Sequence, residues 1–448
     1  MSQTAETTLA VGPDEPLPIE QAALLGLQHV LSMDVYVVPF IVASVLTLAA
    51  PESGVLIQSA FVAAGIATLI QSQLCMRLPV VQGPSYVPIG AVLAIAFASG
   101  GGMAGLATVF GALIPGAVLI ALLGWPTGLF HRIVGWLVPP LVGGTIILVV
   151  GIALMPVALR ENIFAVHGVG SVHQNILLAV VAAVLLVLTM MAGIYMGARG
   201  VWLRISSVIV ALAAGTLLAM AMGRWSFQGV AEAAWLQLPN IAWYTFVPTF
   251  SAWPIITMIV VYLVVLAETT GTWFAVGAVI NRDITDEQLD RGALGEGLGC
   301  LAGALLGSTP VTGYSSNAGI VSITGVASRM AFLAAGILLV VFGLIGKLGA
   351  LIASIPGPVI GGVFAVLCAV IAMNGLRILR GSPLSERNML VIGLPVLFAL
   401  FATLVPKEFV ESMPEFFRYF LGSSIAFGAV AAVLLNLILP EREEPAAA

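Results

Sequence analysis

Apolar runs of membrane-crossing length recur along almost the whole chain, separated by short polar breaks. They fall near 22–49, 54–75, 80–98, 105–123, 133–154, 174–194, 204–222, 253–278, 293–308, 310–325, 328–347, 353–375, 387–405 and 417–438. About 20 predominantly apolar residues suffice for a helix to cross the hydrocarbon core. The pattern therefore predicts an all-α polytopic membrane protein with fourteen transmembrane segments. The third and tenth runs are short and interrupted, by Pro79, Gly83, Pro84 and Pro88 in one and by Pro310, Gly313 and Gly319 in the other. Neither is expected to be an unbroken helix.

Internal similarity adds an organisation. WLVPPLVGGTIILVVG (136–151) and ASIPGPVIGGVFAVLC (353–368) share a Pro-x-x-Gly-Gly element, at Pro140, Gly143 and Gly144 and at Pro358, Gly361 and Gly362. Each lies two segments after one of the broken runs, LPVVQGPSYVPIG (78–90) or STPVTGYSSNAGI (308–320). The chain then divides into an amino-terminal tail (1–21), a first seven-segment repeat (22–222), a connecting loop (223–252), a second repeat (253–438) and a tail (439–448). Seven is odd, so the second repeat enters the membrane from the other side and the two are inverted. Interrupted segments at matching positions of two such halves point to a transporter's binding site.

Composition narrows the functional classes. The chain is 60% hydrophobic and only 8% charged, far from the roughly 25% charged of soluble domains. The segments leave no length for a large soluble domain. With the amino terminus inside, 11 of the 16 Lys and Arg fall in inside loops and 5 outside, as the positive-inside rule expects. Both termini are thus expected in the cytoplasm, in the inner membrane of a cell. No basic block suits nucleic acid, and the acidic first 21 residues, free of Lys and Arg, lack the start of a signal peptide and are expected to be disordered. Cys75, Cys300 and Cys368 form no CxxC pair, and His131, His167 and His173 form no metal cluster. No nucleophile elbow, HExxH or phosphate loop is present, so neither an enzyme nor a cofactor is indicated.

The charges inside apolar runs are few. The ten residues before Glu268 and the thirteen after it are all uncharged. A carboxylate at that depth costs about 2.5–3.5 kcal/mol on the insertion scale and should face a polar cavity, as a proton carrier or an acceptor for a ligand N–H. Gln28, His29 and Asp34 lie in the first run, and His29 and Asp34, five apart, do not share a helix face. Both suit a buried network that positions the broken segments. Glu296 stands at the start of its run, where it is either solvated or involved in coupling. In the broken segments Ser85, Tyr86, Tyr314, Ser315, Ser316 and Asn317 offer side-chain hydrogen bonds beside backbone freed where helix stops. A small, flat, polar ligand suits them.

At these residues the chain resembles the nucleobase/ascorbate transporter family, the uracil, xanthine and uric acid permeases. The likeness rests on Gln28-His29, on Glu268 with Gly271, and on EGLGCLAGALLGSTPVTGYSSNAGIVSITGVASR (296–329). The family signature is Asn-x-Gly, four intervening residues, then Thr and Arg, Lys or Gly; here it is Asn317, Gly319, Thr324 and Gly325. The resemblance implies a core domain that carries substrate against a gate domain, with short strands in segments 3 and 10. It makes Glu268 the carboxylate that binds the base, Tyr86 the aromatic beside it and Ser315 the small residue with a backbone contact. Two positions depart from the pattern. Ser316 stands where the family has Gln or Glu, and Ser cannot make a two-point amide contact. Thr272 stands where relatives have His or Asp, leaving Asp34 or Glu296 to substitute as proton partner.

The leading expectation is a proton-coupled importer of a planar nucleobase, closer to the xanthine/urate branch than to uracil carriers. Glu268 would take the base N–H groups, Tyr86 its face, and Ser85, Ser315 and Ser316 its edge, with Asn317 holding the two segments together. A titratable Glu268 and no distinctive sodium cage favour protons over sodium. The alternatives are a uracil permease and an anion transporter of the same architecture, whose substrate a midplane carboxylate would repel. A homodimer, as some relatives form, is left open.

Overall fold

The structure, a computed structural model, describes residues 9–137, 139–166 and 170–439. His167 and most of the carboxy-terminal tail lie outside the described residues. The chain opens with two short helices, α1 (Ile19–Leu31) and α2 (Val37–Val45), then α3 (Ala50–Leu69), which runs through a π-helical turn to Cys75. Strand β1 (Gln82–Pro84) and helix α4 (Ile89–Ala98) follow, then α5 (Gly102–Gly124), α6 (Phe130–Leu137), α7 (Pro140–Pro156), α8 (Val172–Tyr195) and α9 (Ser207–Ala221). The second half has α10 (Ala252–Val279), α11 (Asp286–Leu305), β2 (Val311–Gly313), α12 (Ser316–Thr324), α13 (Arg329–Leu344), α14 (Gly357–Leu379), α15 (Glu386–Leu404) and α16 (Ser424–Ile438).

Among the described residues seven helices are long and apolar enough to cross a membrane: α3, α5, α7 with its π-helical extension to Phe164, α8, α10, α14 and α15. Helices α4, α9, α13 and α16 are apolar but shorter. The fourteen apolar runs are therefore not fourteen uniform spans. The first run departs furthest from its pattern, because it breaks between Leu31 and Val37. There the hydroxyl of Ser32 turns back onto the carbonyl of His29 (2.7 Å), and the carbonyl of Asp34 accepts the N–H of Val37 (2.9 Å) as α2 begins. Ser and Asp both divert backbone groups from a continuing helix.

The third and tenth runs are interrupted as their prolines and glycines predict, and the interruptions meet. Strands β1 and β2 pair antiparallel, with Gln82 opposite Gly313, Gly83 opposite Thr312 and Pro84 opposite Val311. The N–H of Ser85 reaches the carbonyl of Pro310 (2.8 Å) and that of Tyr314 the carbonyl of Val81 (3.0 Å), extending the ladder at both ends. In a bilayer, backbone outside helices must find partners within the protein. Each broken segment supplies them for the other.

The helices pack as two groups. Helices α1, α3, α5, α10, α11 and α13 contact one another around the strands, and α7, α8, α9, α14, α15 and α16 form the second group. Small residues set the close approaches, as expected where helices meet in lipid: a Cβ on Gly65 of α3 would lie 2.6 Å from the carbonyl of Gly336 on α13. The repeated Pro-x-x-Gly-Gly elements serve the same end, since Gly144 backs onto Gly375 and Leu379 of α14 while Gly362 backs onto Ala179 of α8.

The expectation of a disordered amino-terminal tail fails from residue 9 onward. Val11 bridges to Val326, the N–H of Ala10 donates to the carbonyl of Gly325 (2.8 Å), and the N–H of Arg329 donates to the carbonyl of Pro13 (2.9 Å). Asp14 pairs with Arg329 (2.7 Å) and Arg282 (3.4 Å). The reason is local: Gly325 ends α12 in the left-handed region (φ 69°) and leaves its carbonyl free to receive the strap.

Candidate functional site

Glu268 sits in the middle of α10, half-buried. Its Oε2 accepts the hydroxyl of Ser85 at 2.8 Å, and the Ser85 oxygen in turn accepts the N–H of Val87 at 3.2 Å. Tyr86, the next residue, donates its hydroxyl to Oδ2 of Asp34. Its ring stacks on Phe364 of α14 at 5.7 Å between centroids and 16° between planes. Two adjacent residues beyond β1 are thus tied to two different carboxylates.

A second buried cluster braces the strands from behind. Glu296, only 2% exposed, accepts the amide of Gln82 at 2.9 Å and the hydroxyl of Thr269 at 3.2 Å. It is not the solvated residue its place near the charged start of α11 suggests. Thr269 also accepts the N–H of Gly313 (3.0 Å), and Thr272, one turn on, donates to the carbonyl of Gly313 (3.0 Å). Thr272 therefore anchors β2. Tyr314 closes the other end with a hydroxyl bond to the carbonyl of Pro84 (2.9 Å). No ion pair among the described residues involves Glu268, Glu296 or Asp34.

Asn317 is buried, and its Oδ1 lies 2.8 Å from Nδ1 of His29 and 3.3 Å from the hydroxyl of Ser32. The first contact requires His29 to carry its proton on Nδ1. These partners join the tenth segment to the first rather than to the third. His29 also lies against Phe332 at 4.5 Å, and Gln28 is buried beside it.

Ser315 and Ser316 stand at the start of α12 and are exposed, as is Gly319 one turn later. A Cβ added to Gly319, or to Gly271 on α10, would meet nothing within 4 Å. Open space therefore adjoins both the helix that bears Glu268 and the helix that bears the serines. Thr324, about 12 Å along α12 from Ser316 at 1.5 Å per residue, is not in this group. Its hydroxyl bonds back to the carbonyl of Ile320 (2.9 Å) and accepts the N–H of Val326 (3.3 Å), finishing the helix.

The cluster also takes in Thr269, Gln82 and Phe364, which are not among the residues expected from the sequence. Thr269 and Thr272 are three apart on one face of α10, a spacing that was readable. Gln82 and Phe364 carry no local signal. A separate cavity of about 420 Å³ lies elsewhere, lined by Ser44, Asn175, Arg224, Trp225 and Gly357 among others, and includes none of the Glu268 cluster.

Residues 20–408 match the profile of the Permease family that takes its label from xanthine and uric acid permeases. The chain belongs to this family. The permease is 33% identical to the uric acid permease PucK of Bacillus subtilis (strain 168) over 94% of its own length and 96% of that protein's. It is 32% identical to the xanthine permease of the same organism, covering 92% of each. Among solved structures, the transmembrane domain of the cyanobacterial bicarbonate transporter BicA superimposes with a TM-score of 0.64 at 15% identity, over 88% of the permease and 98% of that chain. That likeness concerns the fold alone. It agrees with a mostly helical, multi-pass membrane protein. In the permease the family signature divides by position: Asn317 anchors α12 to α1, Gly319 borders open space, and Thr324 with Gly325 forms the cap on which the amino-terminal strap docks.

Proposed function

We propose that the permease is a secondary active transporter that imports a nucleobase, a purine such as xanthine or uric acid, together with protons across the cytoplasmic membrane. The observation that carries this reading is the placement of Glu268: a half-buried carboxylate in an apolar helix, held by Ser85 of one broken segment, with open space beside its own helix and beside the helix that begins at the exposed Ser315 and Ser316 of the other. A carboxylate accepts the N–H groups on the edge of a planar base, and the serine hydroxyls at the start of α12 can donate to its carbonyl oxygens. The xanthine and uric acid permeases among its relatives support a purine over uracil.

The two helix groups support a division into a core that carries the base, with α10, α12 and the strands, and a gate that includes α14. Two inverted seven-segment repeats, with both termini in the cytoplasm, fit the antiparallel pairing of β1 with β2 and the count of basic residues in the loops. Proton coupling is supported by the second cluster. Oε1 of Glu296 and Oε1 of Gln82 are both buried without a hydrogen-bond partner. Such orphan acceptors are costly, and a proton on Glu296 would turn one of them into a donor.

The test is uptake into proteoliposomes of purified protein, with labelled xanthine, uric acid, uracil and bicarbonate in parallel and a protonophore added at fixed sodium. Purine uptake that collapses with the proton gradient is expected. Uptake of bicarbonate without any base would replace this reading by anion transport, and uptake that follows a sodium gradient would replace the coupling ion.

A further inference from the structure

We propose that Asp34 is a positioning residue of the binding site, acting through the hydroxyl of Tyr86 to set how tightly the base is held; the inference rests on the nucleobase reading above. Asp34 lies in the break between α1 and α2, so three interrupted segments, not two, converge here. Discontinuous helices at matching depth are where membrane transporters place their ligands. A carboxylate inside the apolar part of such a chain is unfavourable unless polar groups receive it. Asp34 has Tyr86 as its hydroxyl donor and stands just ahead of α2, whose N-terminal end favours a negative charge.

The Tyr86 ring is held at both ends. Its face lies against Phe364 of the second helix group, and its hydroxyl is fixed by Asp34 of the first segment. A phenylalanine at this position would keep the stack and lose the tether. The hydroxyl therefore serves orientation of the ring, with the Ser85 N–H already held by the carbonyl of Pro310, the Ser85 side chain by Glu268 and the Tyr86 carbonyl by the N–H of Ile89. A platform oriented before the ligand arrives strengthens binding by lowering the cost of ordering it. Asp34 thus acts on affinity for the base and leaves the turnover step untouched.

The experiment uses the full chain in proteoliposomes, with whichever of labelled xanthine, uric acid and uracil the wild type takes up. No uptake of any of them by the wild type would overturn the nucleobase reading, and this inference with it, before any variant is compared. Given uptake, Asp34→Ala and Tyr86→Phe should each raise KM by about tenfold, the scale of one hydrogen bond to a charged group, with kcat within about twofold. Asp34→Asn, whose amide oxygen can still accept the tyrosine hydroxyl, should stay within about threefold of wild type. The double variant Asp34→Ala/Tyr86→Phe should be no worse than the poorer single, because both remove one contact. If Asp34→Ala does not yield folded protein, Tyr86→Phe and Asp34→Asn decide on the same criteria. An Asp34→Asn KM as high as that of Tyr86→Phe, additive losses in the double variant, or a fall in kcat at unchanged KM would each overturn the proposal.

Discussion

Ser85 donates its hydroxyl to Oε2 of Glu268 at 2.8 Å. The acid on α10 is therefore oriented by a segment that is not helical at that point, and any movement of β1 relative to α10 changes what Glu268 presents. Glu268→Gln keeps size and one acceptor but removes titration and the charge-assisted bond, which is about 1.5–3 kcal/mol. Affinity should fall about ten- to a hundredfold, and accumulation against a gradient should vanish at saturating substrate while exchange of bound base persists. Parallel measurement of binding by calorimetry and of net uptake checks both; wild-type values in each would leave Glu268 with a structural role only.

Ser316 is predicted to tune selectivity. It is exposed at the first position of α12 with open space one turn away at Gly319, so a longer amide side chain has room. Ser316→Gln should move the competition profile toward xanthine or uric acid with uptake retained. An unchanged profile at normal uptake would put Ser316 outside the site.

Gly313 is predicted to be intolerant for a reason that a second substitution can test. A Cβ there would lie 3.0 Å from the hydroxyl of Thr269 and 3.2 Å from Cγ2 of Thr272. Gly313→Ala should cost about 1–3 kcal/mol of stability through overpacking, read as a lower melting temperature, and should reduce uptake. Thr272→Ser removes the methyl while keeping the hydroxyl that holds the Gly313 carbonyl, and in the double variant it should recover part of both losses. Equal or greater damage in the double variant would show that the methyl is not the obstacle.

Docking of the amino-terminal strap should depend on acid. The Arg329 guanidinium bonded to Asp14, with Arg282 as a second cation, holds the Asp14 carboxyl below its ordinary value of 3.8. A depressed carboxyl contributes stability that is present above its unfolded pKa and is lost as pH falls through the folded one. Strap contact should therefore be complete at neutral pH and weaken only below about pH 4. With Asp14 61% exposed, the pairs contribute about 1 kcal/mol or less. A fluorophore on Glu15→Cys, in a chain whose three own cysteines are buried, should gain mobility as pH drops. Adding Asp14→Asn should give that mobility already at pH 7, and a probe equally rigid in both would exclude the ion pairs as the anchor.

Which features are legible in the sequence follows from which signals are local. Pro and Gly mark the third and tenth segments as broken, and isolation among apolar residues marks Glu268, so those features are readable from neighbours along the chain. The break at Ser32–Tyr36 contains neither Pro nor Gly, and the apolar pattern continues across it. Glu296 shares a helix with Asp286, Glu287, Asp290 and Arg291, which makes it look solvated. It is about 15 Å along the helix from Asp286, at 1.5 Å per residue, and buried. Asn317 finds His29 at a separation of 288 residues, and no periodicity in either segment encodes that meeting.

The pairing of Gln82–Pro84 with Val311–Gly313 also bears on biogenesis. The earlier strand leaves the ribosome more than two hundred residues ahead of its partner, which at 5–20 residues per second is a wait of about 10–50 s. Through that interval its backbone donors and acceptors would sit in or beside lipid without the ladder that satisfies them. The nascent first half must therefore remain in a watery or chaperoned compartment until the second half is threaded. Truncated chains ending before Val311 should be recognised as defective and degraded, whereas the two halves expressed as separate polypeptides should rescue each other.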